Sequence, residues 1–324
     1  MGTSGAAAET SAEAAAISEP LRVGLVGCGK LAQVGYAPAF RLARGVRLVA
    51  VADPNRDRWR AVAPEAPGFE SAGELIAGSD AEAIVVATPV DRHLEVATEA
   101  AAAGLNALVE KPPAASAEEA AQLLELRPPP SIAFNRRFDG GLRELRDRVP
   151  PAGRLELRIL FHRRGAWGSY SGDDPLLLDT GPHAFDLVRW LAGEEVARVR
   201  ARESRHGASV ELELEEGRGT AHVELRTNRP YRELAEVRAN GNLVGRHAVG
   251  GALQGVLARL GRAPKSPLVP SLTRQLDAFA ASVRGEAGHD VGTAGDGLAV
   301  MTAVDAARTS AAGAGDWQRV GSSR

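Results

Sequence analysis

Residues 21–27 (LRVGLVG) form an apolar run without a two-residue alternation that stops on a glycine. Runs of the same texture recur at 46–52 (VRLVAVA), 81–87 (AEAIVVA) and 106–109 (NALV). A strand with one wet face alternates, so continuous apolar runs of this length read as strands buried on both faces. Helix-like stretches at 30–44 and 93–103 separate them, and a helix at 116–126 and a short strand at 131–134 follow. Asp53-Pro54, Thr88-Pro89 and Gly104 supply the stops, and the prolines at 128–130 mark the edge of this half. Alternating strands and helices predict an α/β domain over residues 21–131, a doubly wound parallel sheet covered by helices.

The remaining half has another texture. Segments 155–161 (LELRILF), 210–214 (VELEL), 221–225 and 233–238 alternate or nearly alternate, as strands of an antiparallel sheet with one solvated face do. Helices are expected at 180–191, 271–284 and 297–310, and a loop at 245–270, which is poorly patterned. The reading is a C-terminal α+β domain over 132–324 with a mostly antiparallel open sheet. Residues 1–20, rich in Ala, Ser, Thr and Glu, read as a flexible tail without the basic start and apolar core of a secretory signal.

Bulk properties narrow the functional classes. The 324 residues carry a formal net charge of -2, which gives no electrostatic reason to expect a nucleic acid or an anionic membrane as partner. The arginines at 136, 137, 143, 146 and 148 resemble a basic patch but lack interleaved aromatics, so a solvated face is expected there. No run of about 18 apolar residues suggests a membrane span. A lone cysteine, Cys28, cannot form an internal disulfide, and a cytoplasmic setting is expected.

The turn after the first strand, Gly27-Cys28-Gly29-Lys30-Leu31-Ala32, has the form G-x-G-x-x-A. A missing Cβ at Gly27 permits a tight turn, one at Gly29 lets the backbone approach a diphosphate, and Ala32 keeps helix and sheet close. The helix start at Lys30 and Leu31 would then face the phosphates with its partial positive charge. Asp53 ends the second strand about 26 residues after Gly27. A carboxylate there accepts both ribose hydroxyls and repels a 2′-phosphate, which favours NAD over NADP. The bland alternative is a glycine turn that merely shapes a βα connection. Cys28 reads as a small turn residue and not a nucleophile.

Two clusters carry chemistry. Glu110-Lys111-Pro112 ends a parallel strand, where ligands of such sheets bind. In Asp179-Thr180-Gly181-Pro182-His183, Asp179 sits at or just before a helix start and His183 follows one turn on. Lys111 could also be a solvated strand-end lysine, His183 a packing residue and Asp179 a cap. Asp186 reads as structural and His93 as a helix-start residue near the cofactor. No spacing of His, Cys and carboxylates suggests a metal site.

These residues resemble the family of glucose–fructose oxidoreductase and inositol 2-dehydrogenase (Gfo/Idh/MocA). The resemblance rests on the glycine turn, Asp53, Thr88-Pro89 with His93, Glu110-Lys111-Pro112, Asn135-Arg136-Arg137-Phe138 and D-x-G-x-H-x-x-D at 179–186, and runs from Leu21 to about Val320. It implies a Rossmann N-terminal domain and an NAD-dependent dehydrogenase acting on a carbinol carbon of a cyclic polyol or sugar. It also implies that Gly27, Gly29, Lys30, Leu31, Asp53, Thr88, Pro89, His93, Glu110 and Lys111 border the cofactor, with a cis Lys111–Pro112 bond. Lys111 would contact the reacting hydroxyl, His183 act as general acid/base, and Asp179 bind neighbouring hydroxyls. Asn135 and Arg136 would lie on the substrate side, and the chain would form a homodimer or homotetramer. A histidine suits the proton transfer because its pKa lies near neutrality. Two other readings stay open: a keto-sugar or sugar-nucleotide reductase, and an NAD- and sugar-binding sensor without turnover. The chain departs from the family pattern at Val90, at 173–177 (DDPLL) and after Tyr231.

Overall fold

The computed structural model describes residues 19–164, 176–250 and 268–321. Most of the expected tail, residues 173–175 of the departing segment and most of the expected 245–270 loop lie outside the described residues.

Strands β1 (Leu21–Val26), β2 (Val46–Ala52), β3 (Gly68–Phe69), β4 (Ala83–Val86), β5 (Asn106–Val109) and β6 (Ser131–Ile132) form one parallel sheet in the order β3-β2-β1-β4-β5-β6. The order reverses beside β1, which places a crevice at the carboxyl ends of β1 and β4. The apolar runs are continuous because each strand feeds two cores. Leu25, Val85 and Leu108 pack on one face of the sheet, and Val26, Val86 and Val109 on the other. Ser71 and Ser116 cap the helices Ala72–Gly78 and Ala117–Glu125 by accepting the N–H of Glu74 and Glu119, each at 3.2 Å.

The helix after the glycine turn contains a π-helical turn, Ala32–Tyr36, before the α-helical stretch Ala37–Leu42. Pro38 lacks an N–H for the residue 34 carbonyl, and the widened turn just before it absorbs the misfit. The same turn aims Tyr36 into the protein, where it is fully buried.

A second sheet follows, of β7 (Leu155–Arg164), β8 (Val196–Ser204), β9 (Gly207–Leu214), β10 (Gly219–Arg226), β11 (Asn228–Ala239), β12 (Asn242–Gly250) and β13 (Gln318–Arg319). Its order is β12-β11-β7-β10-β9-β8-β13, antiparallel throughout except for β7 beside β10. The fold is thus α/β, a parallel sheet joined to a mostly antiparallel one. The inward residues Val199, Val210, Leu212, Val223 and Leu225 pack against the helices Gly181–Ala192 and Ala294–Ala312 through Phe185, Val188, Val300 and Val304. The helix Leu268–Val283 turns back to the first sheet and packs Leu272, Leu276 and Phe279 against the core that holds Tyr36 and Phe40. Each such fully buried side chain contributes about 1.5–3 kcal/mol.

The expected loop at 245–270 is corrected at both ends. Residues 245–250 belong to β12, which pairs with β11 from Ala239↔Asn242 to Arg232↔Gly250, and Leu268 starts a helix. The glycines at 245 and 250 and the edge position of the strand hide the alternation. The arginine patch is corrected too. Arg137 is buried on Asp186, Arg136 pairs with Glu233, and Arg143 and Arg146 pair with Asp290. Only Arg148 behaves as a solvated residue, beside the exposed Glu144.

Candidate active site

The glycine turn is fixed by backbone geometry. Gly27 has φ 96°, and a Cβ there would lie 2.5 Å from the Ala87 carbonyl oxygen, so no other residue fits. Around Gly29 a Cβ would meet nothing within 4 Å, which leaves bare backbone facing open space at the helix start. That cradle, with the helix beginning at Lys30, fits the diphosphate of a dinucleotide. Asp53 is buried at the end of β2 and accepts the N–H of Cys28 and of Asn55, both at 2.9 Å, with Arg58 3.6 Å away. Burial and the Asp53 carboxylate push the Cys28 thiol up to about 12, so it carries no thiolate at neutral pH.

The ends of β4 and β5 are tied together by His93. One ring nitrogen lies 3.0 Å from the Thr88 carbonyl oxygen and the other 2.9 Å from that of Pro112. Burial lowers its pKa. With both nitrogens engaged, its chemistry is that of a brace between two loops. Glu110 is buried as well. It accepts the Tyr36 hydroxyl at 2.6 Å and the Lys111 N–H at 2.9 Å, and burial raises its pKa. The Lys111–Pro112 bond is cis.

Lys111 reaches across the cleft. Its ammonium donates to the Asp179 carbonyl at 3.0 Å and lies 3.7 Å from the Asp179 carboxylate. Asp179 ends a short helical turn, Leu176–Asp179, and Thr180 begins the helix Gly181–Ala192 without a side-chain cap. Asp179 therefore caps nothing. Its carboxylate also takes a guanidinium nitrogen of Arg163, from the end of β7, and lies 3.4 Å from the Thr180 hydroxyl.

His183 stands in the first turn of that helix, half-buried, with its ring 6.4 Å from Phe161. Its Nδ1 is sealed from solvent without a partner among the described residues. Burial first, then the positive charges of Lys111 and Arg136, hold its pKa well below the ordinary histidine value. Arg136 donates to Glu233 at 2.6 Å and lies over the Phe161 ring, while Asn135 Oδ1 is buried without a partner.

One cavity of about 640 Å³ joins these groups. From the expected cofactor side it is lined by Lys30, Leu31, Thr88, Pro89, His93 and Glu110. From the expected chemical side come Lys111, Asn135, Arg136, Asp179 and His183. Gly27, Gly29 and Asp53 sit outside its wall. Val90 lines it where the family pattern differs. Phe161, Arg163, Arg226, Tyr231 and Glu233 also line it, and nothing in the sequence singled them out. Among the described residues, buried polar atoms without a hydrogen-bond partner gather around this cavity, on Thr88, Asn135, Arg136, Arg163 and His183. Among the described residues no group of three or more His, Cys, Asp or Glu is arranged to hold a metal.

Behind the site, Arg137 makes a forked pair with Asp186, with bonds of 3.0 and 3.1 Å from its Nε. Asp296 bridges Arg137 and Arg189 at 3.3 and 3.1 Å, and Arg189 continues to Glu195. The two guanidinium groups depress the Asp296 carboxyl to about 2. This lattice locks the Asn135–Phe138 turn to the His183 helix.

Residues 21–128 match the family described as "Oxidoreductase family, NAD-binding Rossmann fold" (GFO_IDH_MocA). An inositol 2-dehydrogenase of Leifsonia xyli subsp. xyli is 35% identical over 206 residues, which cover 60% of this chain and 60% of that protein. The chain thus aligns with less than two thirds of that relative's length. A structure of GenD2 from gentamicin A biosynthesis in complex with NAD superposes with a TM-score of 0.80 at 22% identity, covering 94% of this chain and 98% of the other. Myo-inositol dehydrogenase from Lactobacillus casei, in complex with NAD(H) and myo-inositol, gives 0.76 at 16% identity, covering 94% and 97%. At such identities the two structures speak for the fold alone. Among the described residues no helix is long and apolar enough to cross a membrane.

Proposed function

We propose that the protein is an NAD-dependent oxidoreductase that oxidises a secondary alcohol of a polyol or sugar, with His183 as the general base. The observation that carries this reading is the convergence of Lys111, Asp179 and His183 on one cavity that also touches the helix start after the glycine turn. The family's NAD-binding domain and the inositol 2-dehydrogenase relatives support it.

NAD, when bound, would supply the two-electron acceptor, and the turn Gly27–Gly29, the start of the helix at Lys30 and Leu31, and Asp53 would hold it. The chain's own residues handle the proton. His183 is unprotonated at neutral pH because burial and two cations oppose its protonated form. It takes the hydroxyl proton, and the Lys111 ammonium stabilises the negative charge that develops on the substrate oxygen. Asp179 holds Lys111 and Arg163 in place and offers its remaining acceptor capacity to a neighbouring hydroxyl. Asn135 and Arg136 line the substrate side. A cytoplasmic setting and a homodimer or homotetramer complete the reading, and light scattering checks the latter.

A polyol and sugar panel with NAD, followed as NADH absorbance, tests the proposal. Turnover on at least one polyol is expected, with loss in Lys111→Ala and His183→Ala of roughly 100-fold or more while cofactor binding persists. NAD binding without turnover on any substrate, or unchanged rates in both variants, contradicts it.

A further inference from the structure

The substrate end of the cavity is unevenly charged. Its wall holds four cationic side chains, Lys111, Arg136, Arg163 and Arg226, against Asp179 and Glu233, with the buried Glu110 where this end meets the cofactor side. Asp179 and Glu233 are both spent on protein: Asp179 on Lys111 and Arg163, and Glu233 on Arg136. Arg226 is answered by Glu224 at 3.1 Å. Two guanidinium groups stay only partly satisfied. Arg136 gives one terminal nitrogen to Glu233 and Arg163 gives one to Asp179, yet the Nε of each is buried with no acceptor among the described residues. Both side chains are largely covered, at 16% and 20% exposure.

A guanidinium group can only donate, so a ligand that meets the accessible nitrogens of these two side chains does so with acceptors. A hydroxyl would accept a bond but leave the excess positive charge enclosed, which is costly. A carboxylate or phosphate oxygen answers both needs, and its geometry matches the arginine fork. Phe161 lies beneath Arg136 and beside His183, so an anion on Arg136 and Arg163 sits next to the carbon that His183 serves.

We infer that the substrate is an acidic sugar or polyol, its anionic group held by Arg136 and Arg163. This rests on the oxidoreductase reading above and narrows it from polyols in general to those that carry a carboxylate or phosphate.

Calorimetric titration of the NAD-loaded protein with glucose, glucuronate and glucose 6-phosphate tests it, because the three share a ring and differ in charge. At least one acid is expected to bind tenfold or more tightly than glucose, and which one it is distinguishes carboxylate from phosphate. That advantage should shrink as salt is raised, since screening weakens charge attraction. Arg136→Gln and Arg163→Gln should lower the acid-to-glucose affinity ratio by tenfold or more. Arg136→Lys, which keeps the charge and loses the fork, should fall between, and thermal unfolding of each variant confirms that it is folded. No advantage for either acid, or no binding by any of the three, overturns the inference. Turnover of a neutral polyol without preference for the acids overturns the inference and leaves the oxidoreductase reading standing. Preferential binding of an acid with no NADH formed from any substrate does the reverse.

Discussion

The glycine turn and the substrate wall occupy two ends of one cleft, and they are built by different means. The turn is backbone: a left-handed Gly27, an uncovered Gly29 and the Asp53 carboxylate that accepts the Cys28 N–H, all within residues 27–58. The wall is side chain: Lys111, Arg136, Arg163, Asp179, His183 and Glu233 come from separate strands, turns and a helix. On the proposed reading, a group common to many enzymes would be held by features that few substitutions can supply. A group particular to one enzyme would be met by side chains that can change one at a time. Substitutions should therefore separate the two ends cleanly.

His183→Ala is expected to show the largest effect, a fall in kcat of roughly 10²–10⁴-fold. NAD affinity, read by fluorescence titration, should hold. A parallel loss of NAD binding would mean that the two ends are not independent.

Asp186→Asn comes next. It leaves the Arg137 guanidinium short of its buried partner and should cost about 3 kcal/mol in urea unfolding. The loss should appear as stability and as a misplaced His183 helix, not as weaker NAD binding.

The glycine pair sharpens the contrast. Gly27→Ala forces a positive φ and a clash with the Ala87 carbonyl, so stability should fall by more than the roughly 1–2 kcal/mol of the conformational term alone. Gly29→Ala meets open space, so stability should stay within about 0.5 kcal/mol. NAD affinity should nonetheless drop about tenfold, the equivalent of roughly 1.4 kcal/mol. Equal stability losses in the two variants would break the account of the turn.

The smallest effect concerns pH. His183 is deprotonated down to a pH well below the usual histidine range, so the acid limb of kcat/KM should lie there. Removing the Lys111 charge takes away one force that lowers the imidazole pKa, so in Lys111→Met the limb should move up in pH. Stability follows the same sign. The unfolded chain binds a proton at His183 that the folded chain refuses, so stability is lost as pH falls below about 6.5.

The same contrast explains what was legible in the sequence. The runs at 46–52 and 106–109 coincide with β2 and β5, and the glycine turn sits where its spacing puts it, because each depends on neighbours along the chain. Asp179 ends the short turn just before the helix that carries His183, also a matter of local sequence. The wall depends on distant partners. Arg136 finds Glu233 97 residues away, and Arg137 finds Asp186 49 residues away. Nothing local marks Arg163, the next-to-last residue of a strand that otherwise alternates, as the partner of Asp179. The π-helical turn at Ala32–Tyr36 was also hidden, although Pro38 was a visible cue. Its consequence, the Tyr36 hydroxyl on Glu110, appears only when the first helix meets β5.

A crystal structure with NAD bound bears on the central claim most directly. The account predicts the diphosphate over Gly29 and the nicotinamide inside the cavity, its reactive carbon facing the space between Lys111 and His183. A nicotinamide turned away from that imidazole, or a diphosphate seated elsewhere than the glycine turn, would contradict it.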